Sequence, residues 1–314
     1  MAPTTPIISG VHHVTALAKD PRGNLDFYRR VLGLRFIKRT VNHDDPLTYH
    51  LYYADAVGTP GSVITHFPHP HAARARHGSG EIRRTVLAVP EGTLGFWRHR
   101  LGAHDVDVRE ATRFGADRLE FDDPDGMELG LVEADVEEVG RPWSEDGVDA
   151  AHAIRTVDGV SLRVRDAGVT GEFLQSALGL SAGEREGDVR RFTLPGGGPG
   201  RRLDLIEDAG DQHPMGAGTV HHVAWRVADD EALTSVADRL AEHNVAATPI
   251  IDRLYFHSIY FRVPGRVIFE IATEGPGFDV DEPMRELGRT LVLPPQHEPR
   301  RAEIEAHLLP LDGD

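Results

Sequence analysis

The chain has 314 residues, 40% of them hydrophobic, a length that exceeds a typical single domain and predicts two domains or a duplicated one. Its 50 acidic and 34 basic residues give a net charge of −16, which argues against nucleic acid and anionic membranes as partners. The absence of cysteine excludes disulfides, thiolate metal sites and thiol nucleophiles, so any metal must be held by His and carboxylate groups.

No stretch approaches the roughly 18 apolar residues of a membrane span, and the first ten residues lack both the basic and the apolar part of an export signal. We therefore expect a soluble, cytoplasmic protein. Lysine occurs only as Lys19 and Lys38. This composition fits either a GC-rich genome or a salt-adapted acidic surface, and the sequence does not separate the two.

The first predicted elements form one compact unit. Residues 8–17 alternate like a strand, and residues 24–33 carry apolar side chains at helical spacing and end at a glycine. Three further strand-like runs follow, at 34–41, 48–54 and 62–67, separated by turns that contain Asp, Pro and Gly. The unit is a strand, a helix and then three strands.

The same unit recurs from about residues 83, 154 and 220, which makes the chain a fourfold repeat. The ends of the predicted helices support the repeat. V-L-G-L at 31–34 matches A-L-G-L at 177–180, and R-L-G-A-H-D-V at 100–106 matches R-L-A-E-H-N-V at 239–245. Modules 1 and 3 are therefore alike, as are modules 2 and 4.

These patterns predict an α+β fold of four βαβββ modules that form two open barrels. Modules 1 and 2 occupy residues 1–140, and modules 3 and 4 occupy residues 151–275. A polar linker at 141–150 joins the halves, and a C-terminal tail covers 276–314.

Equivalent positions of the repeat identify candidate metal ligands. At the first-strand position the four modules hold His13, Arg83 or Arg84, Gly159 and His222. The sixth residue after the proline of the last hairpin is His66, Gly130, Leu205 or Glu270, in module order. Two histidines and one glutamate therefore stand out, with His66 as a further candidate.

Two neutral imidazoles and one carboxylate form the facial arrangement that holds Fe(II) and leaves open positions for substrate and O₂. A strand histidine also occurs as an ordinary packed residue, but Glu270 lies in the apolar run V-I-F-E-I, where an unpaired carboxylate is costly. A three-residue hairpin loop at Pro264 places Tyr260 opposite Glu270, either near the metal or merely filling the barrel. Alternation places Thr15 on the same face as His13.

The three candidate ligands come from modules 1 and 4, and they must converge on one ion. We therefore predict that modules 1 and 4 close the metal-bearing barrel within one chain, and that modules 2 and 3 form a barrel without metal. A domain-swapped dimer that shares ligands between two chains is the alternative.

The chain resembles the vicinal oxygen chelate superfamily, and within it the hydroquinone-cleaving ring dioxygenases. The resemblance covers nearly the whole chain and rests on V-H-H-V-T, H-H-V-A-W, D-R-L-Y-F-H-S-I-Y-F-R before F-E-I-A-T, and L-P-P-Q-H-E-P-R-R. It implies a glyoxalase/extradiol dioxygenase-like fold. It also implies that Fe(II) is held by His13, His222 and Glu270 and that the residues supporting the ligands or facing the substrate are His12, Thr15, His221, Arg253 and Tyr260. Strict strand alternation points His12 and His221 away from the metal, so their roles rest on the resemblance alone.

The resemblance implies a ring-cleaving dioxygenase that incorporates both atoms of O₂ into a hydroquinone-type phenol. Arg253 would stabilise anionic charge, and Tyr260 and His221 would supply hydrogen bonds and protons. Mn(II) or Zn(II) can replace iron in a purified sample, and assembly into a homo-oligomer stays open. Two alternatives remain: a glyoxalase-type lyase or isomerase, which His66 as a fourth ligand would favour, and a metal-dependent small-molecule binding or resistance protein.

Overall fold

A computed structural model describes residues 7–311, in which a unit of one long strand, one helix and three further strands occurs four times. The long strands are β1 Gly10–Ala18, β5 Glu81–Pro90, β9 Thr156–Val164 and β13 Val220–Val227. The helices that follow them are α1 Pro21–Asp26, α2 Leu94–Ala103, α3 Ala167–Ser176 and α4 Asp230–Glu242. In module 1 the helix continues as a π-helical turn, Phe27–Val31.

The remaining strands complete the modules in chain order. Module 1 has β2 Arg35–Val41, β3 Tyr49–Ala54 and β4 Val63–Pro68, and module 2 has β6 Arg109–Arg113, β7 Ala116–Asp122 and β8 Glu128–Ala134. Module 3 has β10 Ser181–Glu186, β11 Val189–Thr193 and β12 Arg202–Glu207, and module 4 has β14 Ile251–Asp252, β15 Phe256–Arg262 and β16 Ile268–Pro276. The last segment contains 3₁₀ turns at Met284–Glu286 and Pro295–Arg300 and the helix α5 Arg301–His307. None of the described helices is both long and apolar enough to cross a membrane.

Local sequence explains where the helices begin and end. The carboxylate of Asp20 accepts hydrogen bonds from two backbone N–H groups of α1, and that of Asp229 accepts one from Ala232 of α4. The first helix starts earlier than residue 24 for this reason. It ends as predicted at Gly33, whose φ of +67° is the left-handed conformation that favours glycine after a helix.

The strand pairing confirms the predicted association of the modules. Strand β1 pairs antiparallel with β13, so that modules 1 and 4 share one half of the sheet, and β5 pairs antiparallel with β9, which joins modules 2 and 3. A bridge between Val220 and Ile82 joins the two halves of the sheet. In the first barrel the strand order is β2-β3-β4-β1-β13-β16-β15-β14.

The C-terminal segment is attached to the first barrel by a buried cation. The Lys38 side chain on β2 is completely buried, and its Nζ donates to Asp281 at 2.7 Å and to Glu282 at 2.6 Å. The same ammonium lies 4.9 Å from the centre of the Tyr255 ring. This attachment holds the segment that leads to Pro294, which lines a cavity of the first barrel.

We expect Lys38→Met to lower the free energy of unfolding by about 3 kcal/mol, because it leaves the buried carboxylate of Glu282 without its cation. Chemical denaturation monitored by tryptophan fluorescence measures this change. Arg30→Gln serves as a control, since the Arg30–Asp26 pair lies in solvent, and its midpoint should stay at the wild-type value. Equal midpoints for Lys38→Met and wild type would contradict the expectation.

Candidate metal centre

The β1–β13 register brings three predicted ligands together. His13 lies opposite Ala224, and Ala224 is the parallel neighbour of Glu270 on β16. His222 lies opposite Thr15, one pleat away. The three side chains thus converge from three adjacent strands on the interior face of the barrel, and all three are buried.

The spacing of the three ligand atoms suits a single metal ion. Nε2 of His13 lies 3.3 Å from Nε2 of His222, and Oε2 of Glu270 lies 3.1 Å from the first nitrogen and 2.9 Å from the second. Two metal–ligand bonds of about 2.1 Å at right angles span about 3 Å, as this triangle does. Within residues 7–311 neither carboxylate oxygen of Glu270 has a partner in hydrogen-bond geometry. A fully buried carboxylate left in this way fits a site that a cation completes.

The electrostatics keep Glu270 and His222 in the protonation states that a metal requires. Burial alone would raise the pKa of Glu270, but His13 and His222 beside it hold that pKa well below its usual value. Burial lowers the pKa of His222, opposed by Glu270. A carboxylate and a neutral imidazole are the ligand forms, so no deprotonation of these two groups is needed before metal binding.

Two β-bulges turn the first histidine of each pair toward the ligands. The register shifts between Val11 and His13 and again opposite Ala16, which leaves His12 and His221 as inserted residues. Nδ1 of His12 lies 2.9 Å from Nδ1 of His13, and Nδ1 of His221 lies 2.7 Å from Nδ1 of His222. Strand alternation therefore fails at His12 and at His221. Each of these histidines lies next to Nδ1 of the adjacent ligand, the ring nitrogen that faces away from Glu270.

Burial and a neighbouring imidazole keep these two histidines neutral. Burial, followed by the neighbouring His13, lowers the pKa of His12 to about 3. Burial lowers the pKa of His221 to about 3 as well, with His222 as the next cause. A neutral ring can accept at Nδ1, so each can fix the tautomer and orientation of the adjacent ligand.

Tyr260 and Arg253 line the open side of the site. Tyr260 is the cross-strand partner of Glu270, as the hairpin count predicts, and its ring centre lies 5.6 Å from that of His222. The Arg253 guanidinium lies 5.1 Å from the centre of the Tyr260 ring and donates to Asp44 at 3.3 Å. Burial and the carboxylate of Glu270 raise the pKa of Tyr260 well above its usual value, so the phenol keeps its proton.

His66 lies on the opposite face of the sheet, so the expectation that it matches Glu270 is wrong. It packs 4.4 Å from the ring centre of Tyr28 under the helix, and Nε2 lies 4.0 Å from Asp123. In module 1 the position equivalent to Glu270 is held by Thr65. Thr65 is the parallel neighbour of Thr15 on β1, just as Glu270 is the parallel neighbour of Ala224 on β13. The count from the proline fails because the last turn of module 1 spans residues 55–62, whereas that of module 4 spans only 263–267.

The fixed count from the proline also fails in module 3, because its last turn spans residues 194–201. The β5–β9 pairing repeats the β1–β13 pairing, so Arg84 takes the position of His13 and Gly159 that of His222. The neighbour of Ser161 on β12, at the position of Glu270, is Asp204 rather than the predicted Leu205.

Ion pairs occupy the second barrel where the first has its ligand triad. Asp204 accepts two hydrogen bonds of 2.8 Å from Arg191, and Arg84 contacts Glu120 at 2.8 Å. At Gly159 a side chain has no room, because a Cβ there would lie 2.5 Å from the carbonyl oxygen of Arg202. The second barrel thus lacks both imidazoles, and its carboxylate is already neutralised.

A cavity of about 450 Å³ opens onto the ligands from within the first barrel. Its wall includes both candidate His ligands, His221, Arg253 and Tyr260, together with residues that sequence reasoning missed: Leu17, Thr40, Val41, Asn42, His43, Asp44, His50, Tyr52, Phe67, His69, Leu254, Tyr255, Phe256 and Pro294. The volume falls in the range that holds small organic ligands. The mixture of aromatic rings and a few polar groups suits an aromatic compound.

Comparison with known proteins agrees with this architecture. Residues 10–131 and 156–271 match the Glyoxalase/Bleomycin resistance protein/Dioxygenase superfamily. MhqO of Bacillus subtilis, named as a ring-cleaving dioxygenase, is 42% identical over 96% of both chains. The chlorohydroquinone/hydroquinone 1,2-dioxygenase of Sphingobium indicum is 32% identical over 95% of both chains.

Solved structures give the same result. The crystal structure of a protein from Bacillus subtilis named as a dioxygenase superposes with a TM-score of 0.92 at 41% identity, and the match covers 98% of this chain and 99% of that one. Glyoxalase I from Zea mays shares the fold at 12% identity, with a TM-score of 0.61 over 84% of this chain and 92% of that one. The chain belongs to the Glyoxalase/Bleomycin resistance protein/Dioxygenase superfamily. Its full-length relatives support the predicted enzyme class, a ring-cleaving dioxygenase.

Glu270→Gln should abolish tight binding of one divalent ion per chain, because a neutral amide replaces the only anionic ligand of the triad. Metal analysis after anaerobic loading and desalting measures the stoichiometry, and circular dichroism checks the fold. Glu274→Gln is the matched control, since Glu274 lies on the same strand with its side chain in solvent. Retention of a full equivalent of metal by Glu270→Gln would show that the site is elsewhere.

Proposed function

We propose that the chain is a non-haem Fe(II)-dependent dioxygenase that cleaves the ring of a hydroquinone-type phenol, substituted or not, with O₂. The observation that carries the proposal is the one-sided ligand set. Two imidazoles and a carboxylate lie on three adjacent strands, and the opposite side opens into the cavity. This arrangement leaves coordination positions for substrate and O₂, as in other sites with two His and one carboxylate.

Support for the substrate class comes from the cavity and from one relative. The Sphingobium indicum protein is named for chlorohydroquinone and hydroquinone. The aromatic side chains of Phe67, Tyr255 and Phe256 form part of the wall here and can pack against a single ring. Arg253 adds a cation to a chain whose net charge is strongly negative, which suits a substrate that ionises at a hydroxyl group.

When bound, Fe(II) supplies the open coordination positions and the one-electron chemistry that a reaction with O₂ needs. The protein residues contribute binding and charge. Arg253 stabilises anionic oxygen on the substrate, because its guanidinium keeps its charge next to Asp44 and Tyr260. Tyr260 keeps its phenolic proton and can donate a hydrogen bond to an anionic oxygen, while His221 is neutral and can take part in a hydrogen bond.

The lyase or isomerase alternative loses its main support. A fourth ligand from His66 was the feature that favoured it, and His66 faces the helix side instead. No observation in residues 7–311 favours simple sequestration of a small molecule over turnover.

Anaerobically iron-loaded protein should consume one O₂ per molecule of hydroquinone, which an oxygen electrode and product mass spectrometry measure together. A panel of hydroquinone, chlorohydroquinones, methylhydroquinone and catechol identifies the preferred substituents. Methylglyoxal with glutathione serves as the control for glyoxalase chemistry. Binding of a hydroquinone without O₂ uptake would contradict the dioxygenase and support a binding protein.

Tyr260→Phe should leave iron content unchanged and lower turnover by about ten- to ten-thousandfold, the scale for loss of one proton-transferring or hydrogen-bonding group. Tyr49→Phe is the control, because that tyrosine lies on β3 outside the cavity wall. Normal turnover in Tyr260→Phe would leave the residue with a packing role, whereas loss of iron would mean that it orders the ligands.

A further inference from the structure

Four side chains of module 1 form a continuous hydrogen-bonded chain from the cavity wall to Thr15, which lies beside the candidate metal ligands on the sheet. The hydroxyl of Tyr52 lies 2.9 Å from Nδ1 of His50, and Nε2 of His50 lies 2.8 Å from Oγ1 of Thr65. Oγ1 of Thr65 donates to Oγ1 of Thr15 at 2.8 Å. Thr15, Thr65 and Tyr52 are buried, so water does not compete for these contacts.

The strand register places Thr15, the last member of the hydrogen-bonded chain, beside the candidate metal ligands. Thr15 shares a face of β1 with His13 and lies directly opposite His222 on β13. Thr65 occupies the module 1 position that corresponds to Glu270 in module 4. The module that does not supply the carboxylate thus supplies a hydroxyl at the same place.

Packing fixes the orientation of the His50 ring. Its centre lies 4.0 Å from that of Tyr52 and 4.3 Å from that of Phe67, so the two rings restrict its faces and leave the nitrogen edges for hydrogen bonds. Burial, followed by the nearby His13 and His222, holds the pKa of His50 well below its usual value. The ring is therefore neutral, with one donor nitrogen and one acceptor nitrogen.

The tautomer of the neutral His50 ring sets the direction of the hydrogen-bonded chain, because each hydroxyl can donate or accept. With the His50 proton on Nε2, Thr65 accepts from His50 and donates to Thr15, and Nδ1 of His50 accepts from the Tyr52 hydroxyl. In this arrangement the hydroxyl protons of Tyr52 and Thr65 both form hydrogen bonds within the series. The hydroxyl proton of Thr15 then remains available for a further acceptor.

We propose that Thr65, His50 and Tyr52 are positioning residues that fix Thr15 as a hydrogen-bond donor to an oxygen atom of the substrate or of O₂ at the ligand triad. The inference rests on the proposed dioxygenase function. The direct effect falls on Thr15, and the three positioning residues act through it. Loss of the hydroxyl at position 65 frees Thr15 to rotate, and the donor is then no longer held in place.

Nitrogen NMR of histidine-labelled, metal-free protein tests the direction of the chain without any turnover. We expect His50, assigned by the signal lost in His50→Asn, to carry its proton on Nε2 and to have a bare Nδ1. Tyr52→Phe should move this population toward the other tautomer, because the donor to Nδ1 is gone. A wild-type His50 protonated at Nδ1 would overturn the proposal, since the chain would then run the opposite way.

Kinetics of the iron-loaded protein test the consequence for catalysis. Thr65→Val should retain full metal content and lower kcat by about tenfold or more, because the Thr15 hydroxyl is no longer held in its donating orientation. Thr65→Ser keeps the hydroxyl and should restore kcat to near the wild-type value. If Thr65→Val does not fold, His50→Phe, which keeps a ring and removes both nitrogens, carries the same expectation.

Two outcomes would overturn the positioning role: wild-type kcat in Thr65→Val, or equal impairment in Thr65→Ser and Thr65→Val, which would indicate packing. Failure of the proposed function has a different signature. In that case wild-type protein consumes no O₂ with any hydroquinone, while the tautomer of His50 still reports whether the chain is directed toward Thr15.

Discussion

The candidate metal centre depends on one buried carboxylate. Glu270 is fully buried in an apolar strand, and Oε2 lies 2.9 and 3.1 Å from two imidazole nitrogens that come from β13 and β1. This contact is possible only if the first strands of modules 1 and 4 are neighbours, although some two hundred residues separate them. The antiparallel β1–β13 pairing, the association of modules 2 and 3 in the other barrel and the anchoring of the C-terminal segment by Lys38 all support this geometry. The strand order of the sheet thus brings two imidazoles to an anion in an apolar interior.

The repeat made most of this arrangement predictable from sequence, with a limit set by turn length. In modules 2 and 4 the last turns span 123–127 and 263–267, so a fixed count from the proline reaches the correct position, and Tyr260 falls opposite Glu270 as expected. In modules 1 and 3 the last turns are three residues longer, and the same count overshoots by one. A shift of one residue reverses the face of a strand, which is why His66 and Leu205 were assigned incorrectly.

Backbone irregularity accounts for what strand alternation could not reveal. His12 and His221 are each inserted into a bulge, so both approach the adjacent ligand although alternation points them away. Nothing in V-H-H-V distinguishes a bulged strand from a regular one. The hydrogen-bonded chain from Tyr52 to Thr15 was equally hidden, because its members lie on three strands and contribute hydroxyls that have no spacing signature.

The two barrels neutralise the same carboxylate position in different ways, and this contrast bears on function. Asp204 in the second barrel accepts two hydrogen bonds from Arg191, so its charge is balanced by the protein itself. At the matching position Glu270 has two imidazoles, which carry no charge in the form that binds metal, and Tyr260 stands where the second barrel has Arg191. The first barrel therefore leaves a negative charge for a cation from outside the chain to balance, while the cavity beside it remains open for a ligand. The second barrel therefore differs from the first in two ways: an arginine neutralises its carboxylate, and Arg84 and Gly159 occupy the positions of the two imidazoles.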